Sequence, residues 1–452
     1  MYRAHYPAVL MGVWALGGCA TYSSSFGVIE HDLAARQYDA ALQGIEKQAG
    51  SKTDRVLYLL NKGMVLRMKG DFVGSNQMLE TAKAEMERLY AISVRENTLS
   101  FIVNDATVSY AGDDYEQVLV HLYMALNYLE LEQPDEARVE ALQVDVKLRE
   151  LGEHISDSKF TEDAFSRYLT AMIYEERGEW SDALIAYRKA YEAYKKYQGN
   201  YGLAMPTLLK HDLLRLARRQ GLMDEVAQYQ KEFAIDSPLP KVSARGNTME
   251  QGELVFVLNN GLAPIKREKA ASLFDPVSGV MVRIALPYYE SRSNNVVAAR
   301  ISVAGKQVTT ELMEDIDAIA RQSLDARMAA ITARSIARAA VKVTTQKALS
   351  NNRGNNGNDA MVGLLGSLAV QVAAVATERA DTRSWLTLPA SINLARLPLP
   401  PGRYTIKAEL LGSDEQVVAI REYPEVEISK GHKTYLTEHW IPAQLSTIRR
   451  KK

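Results

Sequence analysis

The sequence has few cysteines and little charge excess, and each shortage excludes a class of protein. A single cysteine among 452 residues excludes an intramolecular disulfide. The formal net charge of −1 leaves no global basic field to attract nucleic acid. Hydrophobic residues make up 47% and charged residues 24%, as in soluble globular proteins, which argues against a polytopic membrane protein or a mostly disordered chain. The length favours two or three domains.

The one cysteine, Cys19, lies directly after a short apolar run. Arg3 precedes the run Ala8 to Leu16, which has the length of a signal-peptide core and is too short for a stable membrane span. The residues before Cys19 are Leu16, Gly17 and Gly18. This pattern resembles the lipobox of bacterial lipoproteins, in which small residues admit the peptidase and the thiol accepts diacylglycerol. An accidental free cysteine after a secretory signal, or a short membrane anchor, is the alternative.

The lipobox resemblance implies a cleaved signal peptide over 1–18 and a lipidated tether over 19–27. Diacylglycerol on Cys19 and a further acyl chain such as palmitate would anchor the protein, at about 0.8 kcal/mol per buried methylene. Ala20 follows the cysteine. In envelope lipoproteins an aspartate there favours the inner membrane, so Ala20 implies the outer membrane, with a periplasm-facing protein.

Residues 28–236 are predicted to be all-α and to repeat. The clearest unit runs from Ser166 to Tyr194 and ends its first helix at Gly178. Small and aromatic residues recur in it at the spacing of a tetratricopeptide repeat: Ala171, Tyr174, Gly178, Trp180, Ala183, Tyr187 and Ala190. The unit thus resembles that family, and units at 59–82 and 121–144 fit the frame less well. A helical bundle with coincidental spacing is the alternative.

Tetratricopeptide-like arrays bury a core by stacking and present a concave face to protein partners. By analogy with the family, one face of each first helix lines that groove. Here those positions are Leu60, Met64, Arg67, Leu122, Leu126, Leu129, Tyr168, Met172 and Glu175. The alternative is that neighbouring helices cover them.

The composition changes after residue 236. A linker rich in proline and polar residues is predicted over 237–250. Residues 251–452 then contain β-branched and aromatic runs, such as 253–260, 280–287 and 296–303. The sequence predicts a β-sandwich-like domain of at least seven short strands. The whole chain is therefore predicted to be a multidomain α+β protein.

A helical insertion is predicted inside this β-rich region, over about 310–384. The segment from Thr310 to Ser350 is rich in alanine with charges at helical spacing, and residues 360–376 are strongly apolar. The two segments would form a helical hairpin. The apolar helix 360–376 is interpreted as buried, with self-association and membrane insertion as alternatives.

Common catalytic, metal-binding and nucleotide-binding motifs are missing from the sequence. We find no Walker A loop, no G-x-G-x-x-G, no H-E-x-x-H and no G-x-S-x-G. His432 and His439 are seven residues apart, a spacing that puts them on opposite faces of a strand. Asp113, Asp114 and Glu116 are interpreted as an exposed loop. We therefore predict no enzyme activity, no catalytic residue, no metal and no cofactor.

The lipobox, the repeat spacing and the stretch from Ala380 to Tyr404 together resemble an uncharacterised family of proteobacterial outer-membrane lipoproteins. The resemblance implies a scaffold or adaptor that binds an envelope protein, with a link to peptidoglycan synthesis. Two alternatives stay open: a subunit of an oligomeric envelope assembly joined through 360–376, and a glycan enzyme or glycan-binding module. A nucleic-acid partner is not expected.

Overall fold

The computed structural model describes residues 26–95, 108–154, 162–235, 251–275, 280–351 and 379–443. Within these ranges the chain is a mixed α+β protein with ten helices followed by a β-rich half. The mixed class predicted from the sequence is confirmed. Cys19, the linker 237–250 and the apolar segment 360–376 lie outside the described residues.

The first half of the chain is a row of helical hairpins. Each odd-numbered helix packs against the next even-numbered one, and successive hairpins pack side by side. The helices are α1 (Gly27–Ala34), α2 (Tyr38–Glu46), α3 (Arg55–Lys69), α4 (Phe72–Arg95), α5 (Asp114–Glu130), α6 (Pro134–His154), α7 (Ala164–Glu176), α8 (Trp180–Tyr201), α9 (Thr207–Arg219) and α10 (Met223–Phe233).

The α7–α8 hairpin shows how local sequence sets these boundaries. The Asp163 side chain caps α7 by accepting a hydrogen bond of 2.7 Å from the Ser166 backbone N–H. Gly178 follows α7 with a φ of +73°, a conformation that favours glycine, and so ends the helix as predicted. Ala171 and Ala183 are fully buried, which lets the two helices approach closely.

The second half forms three sheets. One has the order β10-β1-β7-β6, another the order β5-β4-β8-β9, and β2 and β3 form a separate two-stranded ribbon. The strands are β1 (Gly252–Asn260), β2 (Ile265–Asp275), β3 (Val280–Glu290), β4 (Ala298–Val303), β5 (Lys306–Thr309), β6 (Glu311–Asp315), β7 (Ser391–Leu399), β8 (Gly402–Leu411), β9 (Val417–Ile428) and β10 (Lys433–Trp440).

The central strand β1 is buried on both faces and joins the two halves. Leu254, Phe256 and Leu258 on one face pack against the second four-stranded sheet, which makes the predicted sandwich. Val255 and Val257 on the other face belong to the same hydrophobic core as the helices. One face of the β1 sheet therefore shares a hydrophobic core with the helical array, and its other face belongs to the separate core inside the sandwich.

The predicted helical insertion begins later than expected. Residues 311–315 form β6, which pairs antiparallel with β7. The eleventh helix, α11, then runs over Ile316–Asn351. The alanine-rich helical pattern concealed a five-residue strand, because so short a segment has too few residues to display a period of two.

Candidate functional site

The residues predicted to line a partner-binding groove are all buried. The set comprises Leu60, Met64, Arg67, Leu122, Leu126, Leu129, Tyr168, Met172 and Glu175. Those that are apolar or aromatic share one core with Val255, Val257 and Tyr435 of the sandwich. The chain's own strands therefore occupy the inner face of the array, and this face is closed to another protein in the present conformation.

Arg67 is a buried cation on this inner face, and two of its three nitrogens donate hydrogen bonds. Its Nη1 donates to Asn127, and its Nη2 donates to the Thr437 hydroxyl of β10 at 3.0 Å. The guanidinium also lies over the rings of Phe72 and Tyr123, 5.5 and 5.7 Å from their centroids. Burial lowers the pKa of Arg67, which Glu130 partly offsets. Arg67 thus joins the array to the sandwich.

A partly buried cluster of ion pairs lies at the same junction, centred on Arg396 of β7. Arg396 binds Glu253 through two parallel hydrogen bonds of 2.9 Å each. Its third nitrogen donates to Asp212 of α9 at 2.6 Å. Arg215 in turn donates to Asp212 at 2.7 Å and to Glu175 at 2.8 Å. We call these five residues the Arg396 cluster.

Burial and neighbouring charges act in opposite directions on the pKa values of Glu175 and Arg396. Burial alone would raise the pKa of Glu175, but Arg215, Lys433 and Arg396 together hold that pKa well below its usual range. Burial would lower the pKa of Arg396, but Asp212 and Glu253 raise it well above the ordinary arginine value. The hydrogen bonds and ion pairs of the cluster therefore link helices α7 and α9 to strands β1 and β7.

An open cleft of about 420 Å³ lies above the Arg396 cluster, where the array meets the sandwich. We call it the seam cleft. Its lining residues come from the α7–α8 loop, α9, the start of β1, β7 and the β9–β10 turn: Glu175, Glu176, Arg177, Gly178, Trp180, Arg215, Arg219, Gln251, Gly252, Glu253, Arg396, Pro398, Gly431, His432 and Lys433. Both halves of the chain must be folded for this cleft to exist.

The rim of the seam cleft offers an aromatic ring and a cation. The Arg219 guanidinium lies 3.8 Å from the centroid of the Trp180 ring. On the opposite side, the His432 ring nitrogen is 3.0 Å from Glu176, whose other oxygen accepts from the Lys433 backbone N–H. Such a mixed polar and aromatic rim fits a protein surface or peptide.

At the mouth of the seam cleft, the backbone of the β9–β10 turn comes so close to position 252 that only glycine fits there. A β carbon there would lie 2.3 Å from the carbonyl oxygen of Ser429 in the β9–β10 turn. The absence of a side chain therefore lets β1 and that turn form adjoining walls of the cleft.

A second buried polar cluster corrects the interpretation of Asp113, Asp114 and Glu116 as an exposed loop. All three are buried at the start of α5. Asp113 accepts from Lys266 at 2.8 Å and from the Tyr289 hydroxyl at 3.1 Å. Burial and then the Asp113 charge raise the pKa of Glu116 to about 7. The sequence signal that would have shown this is a capping box at the start of α5, in which the side chains of Asp113 and Glu116 each accept a hydrogen bond from the other residue's backbone.

The described residues show no metal site. No group of three or more histidine, cysteine, aspartate or glutamate side chains among them is placed to hold a metal ion. His439 is buried, and burial holds its pKa well below the ordinary value, whereas His432 is exposed at the seam cleft. In the same part of the chain, no helix is long and apolar enough to cross a membrane.

Comparisons with known proteins give no family for this chain. No family model and no curated protein matches its sequence. Among solved structures, a crystal structure of MamA is 13% identical over 45% of this chain and 91% of its own length, with a TM-score of 0.29. The Rap conjugation gene regulator of plasmid pLS20, in complex with the Phr* peptide, is 12% identical over 47% of this chain and 54% of its own length, with a TM-score of 0.28.

At these TM-scores neither likeness supports an inference about what this chain binds. The resemblance to outer-membrane lipoproteins and the lipidation of Cys19 therefore stay predictions. The helical hairpins themselves are visible in the chain's own contacts.

Proposed function

We propose that this chain is an outer-membrane-anchored lipoprotein that acts as a protein-binding scaffold on the periplasmic side of the envelope. The link to peptidoglycan synthesis belongs to the same proposal. Its support is the lipobox around Cys19 and the architecture of the folded part. The observation that carries the binding role is the open seam cleft, which both halves of the chain build.

The seam cleft replaces the inner groove as the proposed partner site. The inner face of the array is occupied by β1, β7 and β10, whereas the cleft is open to solvent. The Arg396 cluster fixes its floor, so a partner would meet a pre-formed surface and would not pay for ordering it. Trp180 and Arg219 at the rim are residue types enriched among those that contribute most to binding.

Anchoring is tested with Cys19→Ala. We expect wild-type protein to incorporate labelled palmitate and to sediment with outer membranes, because acylation depends on the thiol. The variant should incorporate none and should leave the outer-membrane fraction. Thr21→Ala, in the tether beyond the lipobox, is the matched control. A variant that still sediments with outer membranes after a high-salt wash would disprove lipid anchoring.

Partner binding at the seam cleft is tested in intact cells. A photo-crosslinking amino acid replaces Arg219 at the cleft rim, and a second strain carries it in place of Arg88, which is exposed on α4 at a distant part of the array. We expect one envelope protein to crosslink from position 219 and not from position 88. Equal crosslinks from both positions, or none from position 219, would remove the cleft as the partner site.

A further inference from the structure

The turns inside the helical hairpins share one backbone conformation, and two of them lack the glycine that it favours. In each turn, one residue with positive φ donates its N–H to the carbonyl three residues earlier, and the next residue donates to the carbonyl five residues before it. Gly70, Gly178 and Gly221 fill this position with φ of +88°, +73° and +76°. Arg36 and Glu132 fill it with φ of +59° and +57°. Side chains disfavour this conformation, so each charged residue needs a reason to be there.

The structure shows such a reason for Arg36 and not for Glu132. The Arg36 guanidinium donates to the Glu438 carboxylate of β10 at 3.1 Å, and the Glu438 side chain is only 1% exposed. Glu132 is exposed and forms no ion pair and no side-chain hydrogen bond within the described part of the chain. A charged side chain kept at a disfavoured backbone position, without a partner in its own chain, points to a contact with another molecule.

Glu132 lines a second cleft, of about 340 Å³, that adjoins the seam cleft. We call it the turn cleft, and its lining residues are Leu129, Glu132, Pro134, Glu176, Ser429, His432, Lys433, Thr434 and Tyr435. Glu176, His432 and Lys433 also line the seam cleft, so the two clefts meet at the His432–Glu176 contact. Together they follow the row of hairpin turns from the α5–α6 turn to the end of α9.

The far end of the seam cleft carries the opposite charge. Four of the five arginine and lysine side chains that line it have an acidic partner: Arg177 with Glu179, Arg215 with Glu175, Arg396 with Glu253 and Lys433 with Glu176. The fifth, Arg219, is exposed and forms no ion pair within the described residues. Its guanidinium face lies on the Trp180 ring, which leaves the N–H groups at its edge available to a carboxylate.

We propose that the two clefts together bind one extended polypeptide segment of the partner, with an acidic side chain on Arg219 and a basic side chain on Glu132. This inference rests on the proposed scaffold function and names the kind of partner surface that the scaffold takes. Two hairpin steps separate the two charges. At about 10 Å for each step, the separation is about 20 Å, which about six residues of extended chain span.

The first test asks whether one partner occupies both clefts. A photo-crosslinking amino acid replaces Gln251 in the seam cleft, and a second strain carries it in place of Ser429 in the turn cleft, so both charges stay intact. We expect the same envelope protein to crosslink from both positions in intact cells, and not from position 88. Crosslinks from position 251 alone would overturn the extended segment and leave the proposed function standing. Crosslinks from neither position would remove both.

The second test uses synthetic peptides as the probe. A random dodecapeptide library displayed on phage is panned against the full chain in detergent, and the enriched sequences are synthesised. We expect them to share one acidic and one basic residue at a constant spacing of about six residues. Arg219→Glu and Glu132→Arg should each raise the dissociation constant by roughly tenfold, because each variant brings like charges together. A library without enriched sequences, or peptides that are insensitive to both variants, would overturn the inference.

Charge exchange makes the peptide test specific. The double variant, Arg219→Glu with Glu132→Arg, should prefer by roughly tenfold a peptide in which the acidic and basic residues are exchanged. Lys47→Glu and Glu87→Arg, at exposed positions outside the two clefts, are the matched controls and should bind like wild type. Peptides that depend on Arg219 and not on Glu132 would overturn the two-cleft site. Displacement of the peptide by chitotetraose would also overturn it, because the clefts would then take a glycan.

A further variant separates binding from folding. Glu132→Gly should not lower the urea midpoint of unfolding, because glycine adopts this backbone conformation without strain. Its dissociation constant for the selected peptide should rise roughly threefold, because one ion pair at an exposed site is lost. Earlier unfolding would show that the Glu132 carboxylate has a partner in the free chain, and wild-type affinity would show that it has none in the complex. Either result overturns the inference.

Discussion

Replacing Arg396 with methionine is expected to lower the free energy of unfolding by about 3–5 kcal/mol. The loss follows because Glu253 would lose the guanidinium that binds it, and Asp212 would keep only Arg215 as a cationic partner. Urea unfolding would measure it, with the fluorescence of Trp385 as one probe, since Trp385 is 1% exposed and packs in the shared core.

Arg403→Met is the matched control for that measurement. Arg403 lies on β8 with 65% of its side chain exposed and an ion pair to Glu427 in solvent. Its replacement should change stability by less than about 0.5 kcal/mol. Adding Glu253→Gln to Arg396→Met should recover part of the loss, because it removes the carboxylate that has lost its pairing with Arg396. Equal effects of the two arginine variants would contradict the role assigned to the Arg396 cluster.

Glu314→Gln is expected to flatten the dependence of stability on pH between about pH 5 and 7. Glu314 of β6 is fully buried and accepts from the Tyr197 hydroxyl at 3.0 Å. Burial, and then the charge of Asp163, raise the pKa of Glu314 well above its ordinary value. Burial also raises the pKa of Asp163 to about 6. Two carboxyl groups near the N-terminus of α7 thus favour the protonated form.

The sign follows from proton binding in the two states. In the unfolded chain both groups lose their protons near pH ~4, whereas the folded chain keeps them to higher pH. The contribution of these two groups to the free energy of unfolding is therefore largest at low pH and falls as the pH rises through 6. The fall is about 1.4 kcal/mol per pH unit for each group that keeps its proton in the folded chain and has lost it in the unfolded chain. Glu314→Gln removes one such contribution.

The measurement is urea unfolding at pH 5, 6, 7 and 8. Glu425→Gln is the control, because that side chain is 75% exposed on β9. We expect the wild type and the control to lose stability in parallel as the pH rises, and Glu314→Gln to lose less. Identical slopes in all three proteins would mean that Glu314 is ionised in the folded state.

The sequence predicted those parts of the fold that depend on local spacing. Gly178 ends α7 as expected, and the β-branched and aromatic run 253–260 forms most of strand β1. These features need only a few adjacent residues of suitable type. The strands β2, β5 and β6 were not predicted. Charged and small residues in β2 obscure the alternation that identifies a strand, and β5 and β6 are too short to display it.

The candidate site was harder to predict, because its members are far apart in the chain. Arg396 meets Asp212 and Glu253 only after α9, β1 and β7 have come together. One signal was available: Arg396 interrupts an otherwise largely apolar strand, and a cation in such a strand needs a buried partner. Nothing in the sequence identified that partner. For the same reason, the sequence did not show that the chain's own strands cover the predicted groove residues.

The pairing of β1 with β10 sets the order in which the chain can fold. The two strands are parallel neighbours, with Glu253 opposite Lys433, although α11 and all the strands from β2 to β9 lie between them in sequence. Contacts between such distant segments form late, because a long loop must close first. Until β10 has been synthesised and has paired with β1, the apolar inner face of the helices stays exposed to water and prone to aggregation. We therefore expect the nascent helices to need a holding chaperone, and deletion of β10 to drive aggregation of the array.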